Sequence, residues 1–246
     1  MIFLRFLKNT YKIIIKIINR CYYFYAVKSS ANYISYLRRK GINVGDDCFF
    51  QSPKTALVDI TRPLLVDIGR HCYFLENFTL LTHDNVSKVF GPVYYEFIPS
   101  SGKVTIGNNV YFARNCSVLK NVTIGDNCII GFGSIVTHDI PSNSVAVGAP
   151  AKVICTLDEF YQKRLKNSFM EACNLAQVIF EKTGLRPTVS QMWEEFPFWM
   201  EGDSDDKRLK FSVKYQTRGF HDYWIKNHQA RFKSFDEFID YALKMS

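Results

Sequence analysis

The chain has 246 residues, of which 47% are hydrophobic and 15% aromatic, so it can bury a core and is not a disordered protein. Its formal net charge of +8 would suit a nucleic-acid partner, but nine of the bases and none of the acids lie in residues 1–40. The remaining residues hold 22 bases and 23 acids, so the body of the protein is neutral and no nucleic-acid partner is expected.

The N-terminal segment, residues 1–41, begins with a basic stripe at helical spacing. Lysine and arginine recur there at steps of three or four residues, and apolar residues cover much of the remaining surface. This pattern predicts an amphipathic helix, and lysines interrupt its apolar runs too often for a membrane span. Two interpretations stay open. In the first, residues 1–25 lie on an anionic membrane surface. In the second, the helix caps the element that follows and exposes its basic stripe to water.

Residues 104–136 repeat on a period of six without a break. A helical period of 3.6 does not produce such a repeat, and neither does the simple alternation of a flat antiparallel sheet. Three hexads fit one turn of a triangular coil of parallel strands, in which a large residue points inward and a small residue permits the corner. The repeat therefore predicts a parallel β-helix. The inward positions are Ile106, Phe112, Val118, Ile124, Ile130 and Val136, and small residues follow at Gly107, Ala113, Gly125 and Gly131.

The predicted coil extends over residues 42–155 and is interrupted once. Its early hexads, over residues 50–66, keep the pattern only loosely. Leu80 and Ile106 are 26 residues apart, which is not a multiple of six, so residues 85–103 are expected to leave the coil as a loop. A loop of this length inside a compact repeat is more often functional than not.

The C-terminal segment, residues 156–246, changes to a helical period. Apolar residues recur at helical spacing from Leu157, and the sequence from Ser234 to Glu237 is a capping box that predicts the start of a last helix. We therefore expect a mainly α-helical extension after the coil.

The seven cysteines include no CxxC pair. Four of them occupy the fifth place of a hexad, where a small inward residue is needed: Cys48, Cys72, Cys116 and Cys128. Packing explains them without a disulfide or a metal, and no metal site is expected. A reducing, cytoplasmic compartment is the simplest inference.

The hexads, the interrupting loop and the closing sequence THDIPSNSVAVGAPAKVI together resemble the hexapeptide-repeat acyltransferases. The resemblance covers residues 42–155 and is greatest to the galactoside and maltose O-acetyltransferases and to relatives that acetylate cell-envelope polysaccharides. It implies a left-handed coil, an exception to the usual handedness of parallel strands, and acetyl-CoA as co-substrate. The expected fold class is thus mainly β: a left-handed parallel β-helix with an N-terminal amphipathic helix and a mainly helical C-terminal appendage.

His83 ends the last regular rung before the loop. Acyl transfer to a hydroxyl needs a base that works near neutral pH, and imidazole is the side chain suited to that task. Since the family has its catalytic histidine just before or within this loop, the resemblance implies that His83 is the general base. The alternative is a surface histidine in a polar turn. Asp84 is a candidate to orient the imidazole, although neighbouring residues of an extended chain point to opposite sides.

Further roles follow from the resemblance alone. It implies that Asn77 binds the acceptor sugar, that Tyr111 lines the site and that the backbone near Ala113 and Arg114 binds the oxyanion. Asn77 is equally explained as a corner residue of the coil, and Arg114 as a solvated corner residue.

The resemblance also implies residues that contact the coenzyme. Small residues would allow its close approach, and polar or basic residues would meet its distal part: Gly131, Gly133, Thr137, His138 and Lys152. Relatives often carry lysine where His138 stands, which weakens the expected phosphate contacts. The glycines are alternatively plain corner residues.

The resemblance therefore implies an acetyl-CoA-dependent O-acetyltransferase that acts on a sugar hydroxyl of a cell-envelope glycan or its precursor. It also implies a homotrimer whose site combines His83 of one chain with coenzyme contacts of another. The protein would be cytoplasmic, and peripheral at the inner face of the cell membrane if the first interpretation of its N-terminal helix holds. Two alternatives remain: N-acetylation of a nucleotide-linked amino sugar, and a non-catalytic β-helix used for assembly or membrane docking.

Overall fold

The computed structural model describes residues 17, 18, 20–217 and 219–245. The chain forms two compact units, of which one ends at residue 160 and the other begins at residue 161. Most of the predicted N-terminal helix lies outside the described residues, so its membrane interpretation stays a prediction. Within the described ranges, no helix is both long and apolar enough to cross a bilayer.

The first unit is a triangular coil of short parallel strands. Strands that follow one another in the chain lie in different sheets, and strands one turn apart are hydrogen-bonded neighbours. The first sheet contains β1 (Asn43–Val44), β4 (Val66–Ile68), β7 (Val104–Ile106) and β10 (Val122–Ile124). The second contains β2 (Phe49–Phe50), β5 (Tyr73–Phe74), β8 (Tyr111–Phe112), β11 (Ile129–Ile130), β13 (Ser144–Val147) and β14 (Lys152–Thr156). The third contains β3 (Leu57–Val58), β6 (Thr79–Leu80), β9 (Ser117–Val118) and β12 (Ile135–Val136). The predicted parallel β-helix is confirmed.

The coil closes on an antiparallel pair. β14 turns back against β13, and these two strands differ in this way from the parallel pairs of the coil. The register of the coil is unaffected by the inserted loop, because Val66 pairs with Val104 and Leu80 pairs with Val118 across it.

Stacked aromatic rings form a column in the centre of the coil. The rings of Phe50 and Phe74 stack at 4.3 Å between centroids, and Phe74 and Phe112 stack at 5.1 Å. Phe78 packs beside them, 4.6 Å from Phe74. These side chains are fully buried, as are the six inward positions that the hexads predict.

The four cysteines of the hexads are buried and bonded to neighbouring turns of the coil. The thiol of Cys72 donates to the carbonyl of Gly107 at 3.2 Å, and that of Cys116 donates to the carbonyl of Gly131 at 3.1 Å. Burial raises the pKa of Cys116 to about 11. All seven cysteines of the chain lie within the described residues and are free thiols.

Helical residues pack against the first turn of the coil. Residues 20–26 are helical, and α1 (Ser30–Arg39) follows with Ser29 as its N-cap, which accepts from the amide of Asn32 at 3.2 Å. The hydroxyl of Tyr33 donates to the carbonyl of Ala56 at 3.2 Å, and its ring meets that of Phe50 at 5.0 Å. The described part of the N-terminal segment thus shares the core of the coil, which agrees with the capping interpretation for these residues.

Loop 85–103 leaves the coil and carries a helix that the sequence analysis did not predict. α2 (Ser87–Tyr94) ends at Tyr95, whose backbone adopts the left-handed conformation with φ 55°. The chain returns past Ser87, whose hydroxyl accepts from the amide of Ile98 at 2.9 Å. Most apolar side chains of the loop are exposed, including those of Val89 and Tyr95.

The second unit is helical, as the sequence predicts. α3 (Leu157–Thr183) runs into it from the first unit, and α4 (Val213–Gln216), α5 (His221–Asn227) and α6 (Phe235–Lys244) follow. Its separate core is centred on Met192, Phe238 and Ile239. Ser234 caps α6 and accepts from the amide of Glu237 at 3.2 Å, so the predicted start of the last helix is confirmed.

Candidate active site

His83 lies at the corner between the third and first sheets, directly above a buried carboxylate. Its Nδ1 is 2.6 Å from Oδ2 of Asp59, which occupies the same edge one turn earlier. The two corners are adjacent because Val58 and Leu80, the strand residues just before them, are in register. The side chain of Asp59 is 4% exposed, whereas that of His83 is 21% exposed. The imidazole therefore reaches the surface while its partner stays in the interior.

Two threonines complete the surroundings of Asp59. Its Oδ1 accepts from the amide of Thr61 at 2.9 Å and from the Thr61 hydroxyl at 2.6 Å. Its Oδ2 accepts from the Thr82 hydroxyl at 2.5 Å and from the Thr82 amide at 3.2 Å. Burial alone raises the pKa of Asp59, but the hydrogen bonds from Thr61, Thr82 and His83 outweigh burial and lower this pKa well below its ordinary value. Asp59 is thus ionised at neutral pH.

An ionised acceptor at Nδ1 decides which nitrogen of His83 holds the hydrogen. The carboxylate has no hydrogen to donate, so Nδ1 must donate and the neutral ring has its lone pair on Nε2. Among the described residues Nε2 has no hydrogen-bond partner. The arrangement can accept a proton at Nε2 and stabilise the resulting imidazolium through Asp59.

The carboxylate of Asp84 is not hydrogen-bonded to the imidazole. Its carboxylate forms an ion pair with Lys120, and its Oδ1 accepts from the amide of Val86 at 3.2 Å. The structure thus gives the orienting position expected of Asp84 to Asp59, which the sequence analysis did not single out. The available indication was an acidic residue directly after the inward Val58, at a place where the coil buries its neighbours.

Five of the expected site residues lie along a different edge of the coil. Asn77, Ala113, Arg114, Gly131 and Gly133 follow strands of the second sheet, whereas His83 follows a strand of the third. Within one chain the structure therefore does not bring them together with His83.

The side chains along this second edge are engaged with one another. Asn77 has φ 61°, and its Nδ2 donates to Oδ1 of Asn115 on the next turn at 2.8 Å. Nε of Arg114 donates to Glu76 at 2.7 Å. The corner explanations of Asn77 and Arg114 thus each have a structural basis.

The backbone amide of Arg114 is a donor at this edge without a partner among the described residues. The amide of Ala113 already donates to the carbonyl of Ile130 at 2.9 Å. At the corresponding place on another edge, the amide of Asn108 donates to the carboxylate of Asp126 on the next turn at 2.6 Å. Phe132 occupies the equivalent place on the turn after Arg114. Its side chain has no hydrogen-bond acceptor, and the residue is 70% exposed. No partner for the Arg114 amide is found in the described part of the chain.

Of the remaining candidates, two lie on the edge of His83 and two lie in the second sheet. Thr137 and His138 lie on the same edge as His83, two turns further along, and the Thr137 hydroxyl is 2.8 Å from Nδ1 of His138. Tyr111 points outward from the second sheet. Its side chain is partly covered there, and this partial burial raises its pKa. Lys152 is exposed at the start of β14 in the same sheet.

Comparison with known proteins places the chain in a family. Residues 103–138 match the family described as bacterial transferase hexapeptide (six repeats). The chain is 36% identical to Protein CapG of Staphylococcus aureus, over 54% of this chain and 76% of CapG. It is 33% identical to the galactoside O-acetyltransferase of Escherichia coli (strain K12), over 51% of this chain and 68% of that enzyme.

Among solved structures, a maltose O-acetyltransferase from Clostridium difficile 630 matches with a TM-score of 0.40 and 24% identity, over 56% of this chain and 83% of that one. The sequence alignments carry the assignment, because they cover 76% of CapG and 68% of the Escherichia coli enzyme at 36% and 33% identity. The chain belongs to the hexapeptide-repeat acetyltransferases and is therefore an acyltransferase.

Proposed function

We propose that the protein transfers an acetyl group from acetyl-CoA directly to a sugar hydroxyl, with His83 as the general base. The observation that carries this proposal is the imidazole of His83, which Asp59 holds at an edge of the coil and whose Nε2 has no partner among the described residues. The left-handed sense of the coil is part of the same proposal, since it follows from the family.

His83 moves one proton in each direction. Its Nε2 accepts the hydroxyl proton as the sugar oxygen attacks the thioester carbonyl carbon, so that a C–O bond forms. The C–S bond then breaks, and the imidazolium returns the proton to the departing thiolate. Asp59 stabilises the imidazolium between these two steps, and the low pKa of its carboxyl keeps it from taking the proton itself.

The residues present fit a long, anionic co-substrate. Gly133 has φ 69°, and a Cβ there would meet nothing within 4 Å, so this corner is open. His138 and Lys152 are exposed and could meet phosphate groups, as the resemblance implies.

We propose that the active protein is a homotrimer with its sites between chains. His83 and the Arg114 amide lie on different edges of one coil, so two copies are needed to place both beside one thioester. The Arg114 amide of a second copy would then meet the negative charge that develops on the carbonyl oxygen. Thr137 and His138 would contact the coenzyme from the edge of His83, and Gly131 and Gly133 from the edge of Arg114.

For the acceptor we propose a saccharide of a cell-envelope glycan or its precursor. The support is the similarity to a galactoside O-acetyltransferase. We place the reaction in the cytoplasm, which agrees with seven free thiols. Contact of residues 1–25 with the inner face of the membrane is a further part of this proposal.

An acceptor screen tests this function. Purified protein would be incubated with isotope-labelled acetyl-CoA and a panel of saccharides, amino sugars linked to nucleotides and a no-acceptor control, and products would be identified by mass spectrometry. Label on a sugar oxygen is the expected result. Label on an amino nitrogen would replace O-acetylation with N-acetylation. Calorimetry that shows no acetyl-CoA binding would support a non-catalytic coil.

A further inference from the structure

The two ends of loop 85–103 meet at one ammonium group. Nζ of Lys120 donates to Oδ2 of Asp84, just before the loop, and to Oγ of Ser100 near its end. This contact with Lys120 is the main cause that lowers the pKa of Asp84. We call the contacts of Lys120 with Asp84 and Ser100 the clamp. Lys120 belongs to the corner after β9, so the clamp ties the loop to the next turn of the coil.

The two chain segments that meet at the clamp, residues 82–84 and 100–102, form the neck of the loop, and His83 belongs to it. His83 and Ser101 form an antiparallel bridge, and the amide of Gly102 donates to the carbonyl of Thr82 at 2.8 Å. A Cβ at Gly102 would lie 1.8 Å from Oδ1 of Asn121, the residue after Lys120, so the neck packs tightly on that corner. Any shift of the neck would therefore move the backbone of His83.

Within one chain, the apolar side chains of α2 and of the segment after it do not hold the loop against the coil. They are exposed, including Val93, Tyr95 and Phe97. Within one chain, the direction in which the loop leaves the coil is therefore determined mainly at its neck.

We propose that Lys120 is a positioning residue that acts through Asp84 and Ser100 to fix the loop and His83 relative to the acceptor. The proposal rests on the proposed function, and it assigns Asp84 to the clamp instead of to the imidazole. The competing possibility is that Lys120 binds a coenzyme phosphate, because it lies on the edge between His83 and His138.

The kinetic test compares Lys120→Met, Asp84→Asn and the double variant. If Lys120 acts through Asp84, each single change raises KM for the saccharide that the acceptor screen shows to be acetylated about tenfold, and the double variant adds little. KM for acetyl-CoA stays as in the wild type, and Lys120→Arg restores most of the loss. An unchanged acceptor KM in Lys120→Met would overturn the proposal. So would a raised KM for acetyl-CoA in Lys120→Met that Asp84→Asn does not share.

Lys103→Met is the matched control. Nζ of Lys103 pairs with Asp67 at 2.6 Å, so this variant removes a lysine–aspartate pair at the last residue of the loop without touching Asp84 or Ser100. It should keep the wild-type KM values. A loss equal to that of Lys120→Met would count against a specific clamp.

A measurement without any substrate separates this proposal from the proposed function. The amides of Gly102 and Asp84 donate across the neck, to Thr82 at 2.8 Å and to Ser100 at 3.4 Å. In Lys120→Met their hydrogen exchange should be about tenfold faster than in the wild type, and in Lys103→Met it should not change. Unchanged exchange in Lys120→Met would overturn the clamp even in an active enzyme. Faster exchange in a protein that transfers no acetyl group would support the clamp and contradict the proposed function alone.

Discussion

The carboxylate of Asp59 holds the imidazole of His83 at 2.6 Å through Nδ1. A buried, unpaired carboxylate would be strongly unfavourable, yet Asp59 accepts from Thr61, Thr82 and His83 at once. The same hydrogen bonds that make its burial tolerable keep it ionised, and its charge holds the hydrogen of the imidazole on Nδ1.

Replacing Asp59 with Asn tests this tautomer argument. The amide can turn its NH₂ toward Nδ1, which would then accept and leave the ring hydrogen on Nε2, so we expect kcat to fall about 100-fold. Steady-state kinetics should show KM for acetyl-CoA nearly unchanged. Asp67→Asn is the control, because Asp67 pairs with Lys103 at 2.6 Å away from the imidazole. Equal activity in Asp59→Asn and the wild type would contradict the role of Asp59.

The lowered pKa of Asp59 also predicts how stability depends on pH. A carboxyl whose pKa is lower in the folded than in the unfolded protein stabilises the fold above its unfolded pKa of about 3.9, and this contribution is lost as the pH falls below that value. Urea denaturation followed by the circular dichroism of the strands should show a constant difference between wild type and Asp59→Asn near neutral pH. The difference should shrink below about pH 4. A difference that grows on acidification would contradict the argument.

The sequence alone singles out His83 as a candidate, whereas it does not single out Asp59, for a physical reason. His83 stands where a regular repeat stops, so its position is visible along the chain. Asp59 becomes its partner only through the stacking of two turns, and it lies in the loosely patterned stretch of residues 50–66. Asp84 is the neighbour in sequence, but the loop neck directs it to Lys120.

At the scale of elements, the coil is stabilised by the column of rings in its centre. Phe74 is fully buried between Phe50 and Phe112, at 4.3 and 5.1 Å between centroids. Ring stacking along the coil axis links successive turns in addition to their backbone hydrogen bonds.

Phe74→Ala should therefore destabilise the coil by about 3–5 kcal/mol, since it removes a buried ring and leaves a cavity. Urea denaturation followed by strand circular dichroism is the suitable measurement, because the tryptophans, at positions 193, 199 and 224, all lie in the second unit. Leu64→Ala is the control: Leu64 is 83% exposed, and its loss should change stability by about 0.5 kcal/mol or less. Equal effects of the two changes would contradict this account of the core.

The elements differ in how well their sequences predict them. Each inward position of the coil recurs every six residues, so the strands from β7 to β12 and their buried faces follow from the period alone. The helix in the loop does not follow, because Ser87–Tyr94 includes Gly91 and Pro92, both unfavourable in helices. It is held by the loop's own return at Ser87 instead of by a periodic apolar face.

At the scale of the whole molecule, the division of the candidate residues between two edges is the main consequence of the fold. Residues that the resemblance implies for one site, such as His83 and Gly133, follow different sheets. Proximity along the chain could not reveal this division, because every turn visits all three edges.

Mixed trimers test whether the site lies between chains. His83→Ala removes the base on one edge, and Gly133→Asp places a negative charge on the other, where it should repel coenzyme phosphates. Each variant alone should be inactive. Co-expressed under two affinity tags and purified as mixed trimers, they should regain part of the wild-type activity, since some sites join two intact edges. No recovery in verified mixed trimers would contradict a site between chains.

His83 is the residue on which the proposed chemistry depends most directly, and acetyl transfer by His83→Ala is the measurement that tests it. We predict that kcat falls by a factor of about 100 to 10,000, while acetyl-CoA binding measured by calorimetry stays as in the wild type. His71→Asn, at a corner with φ 56° that asparagine tolerates, should keep full turnover. Turnover by His83→Ala close to that of the wild type would contradict the assignment of His83 as the general base.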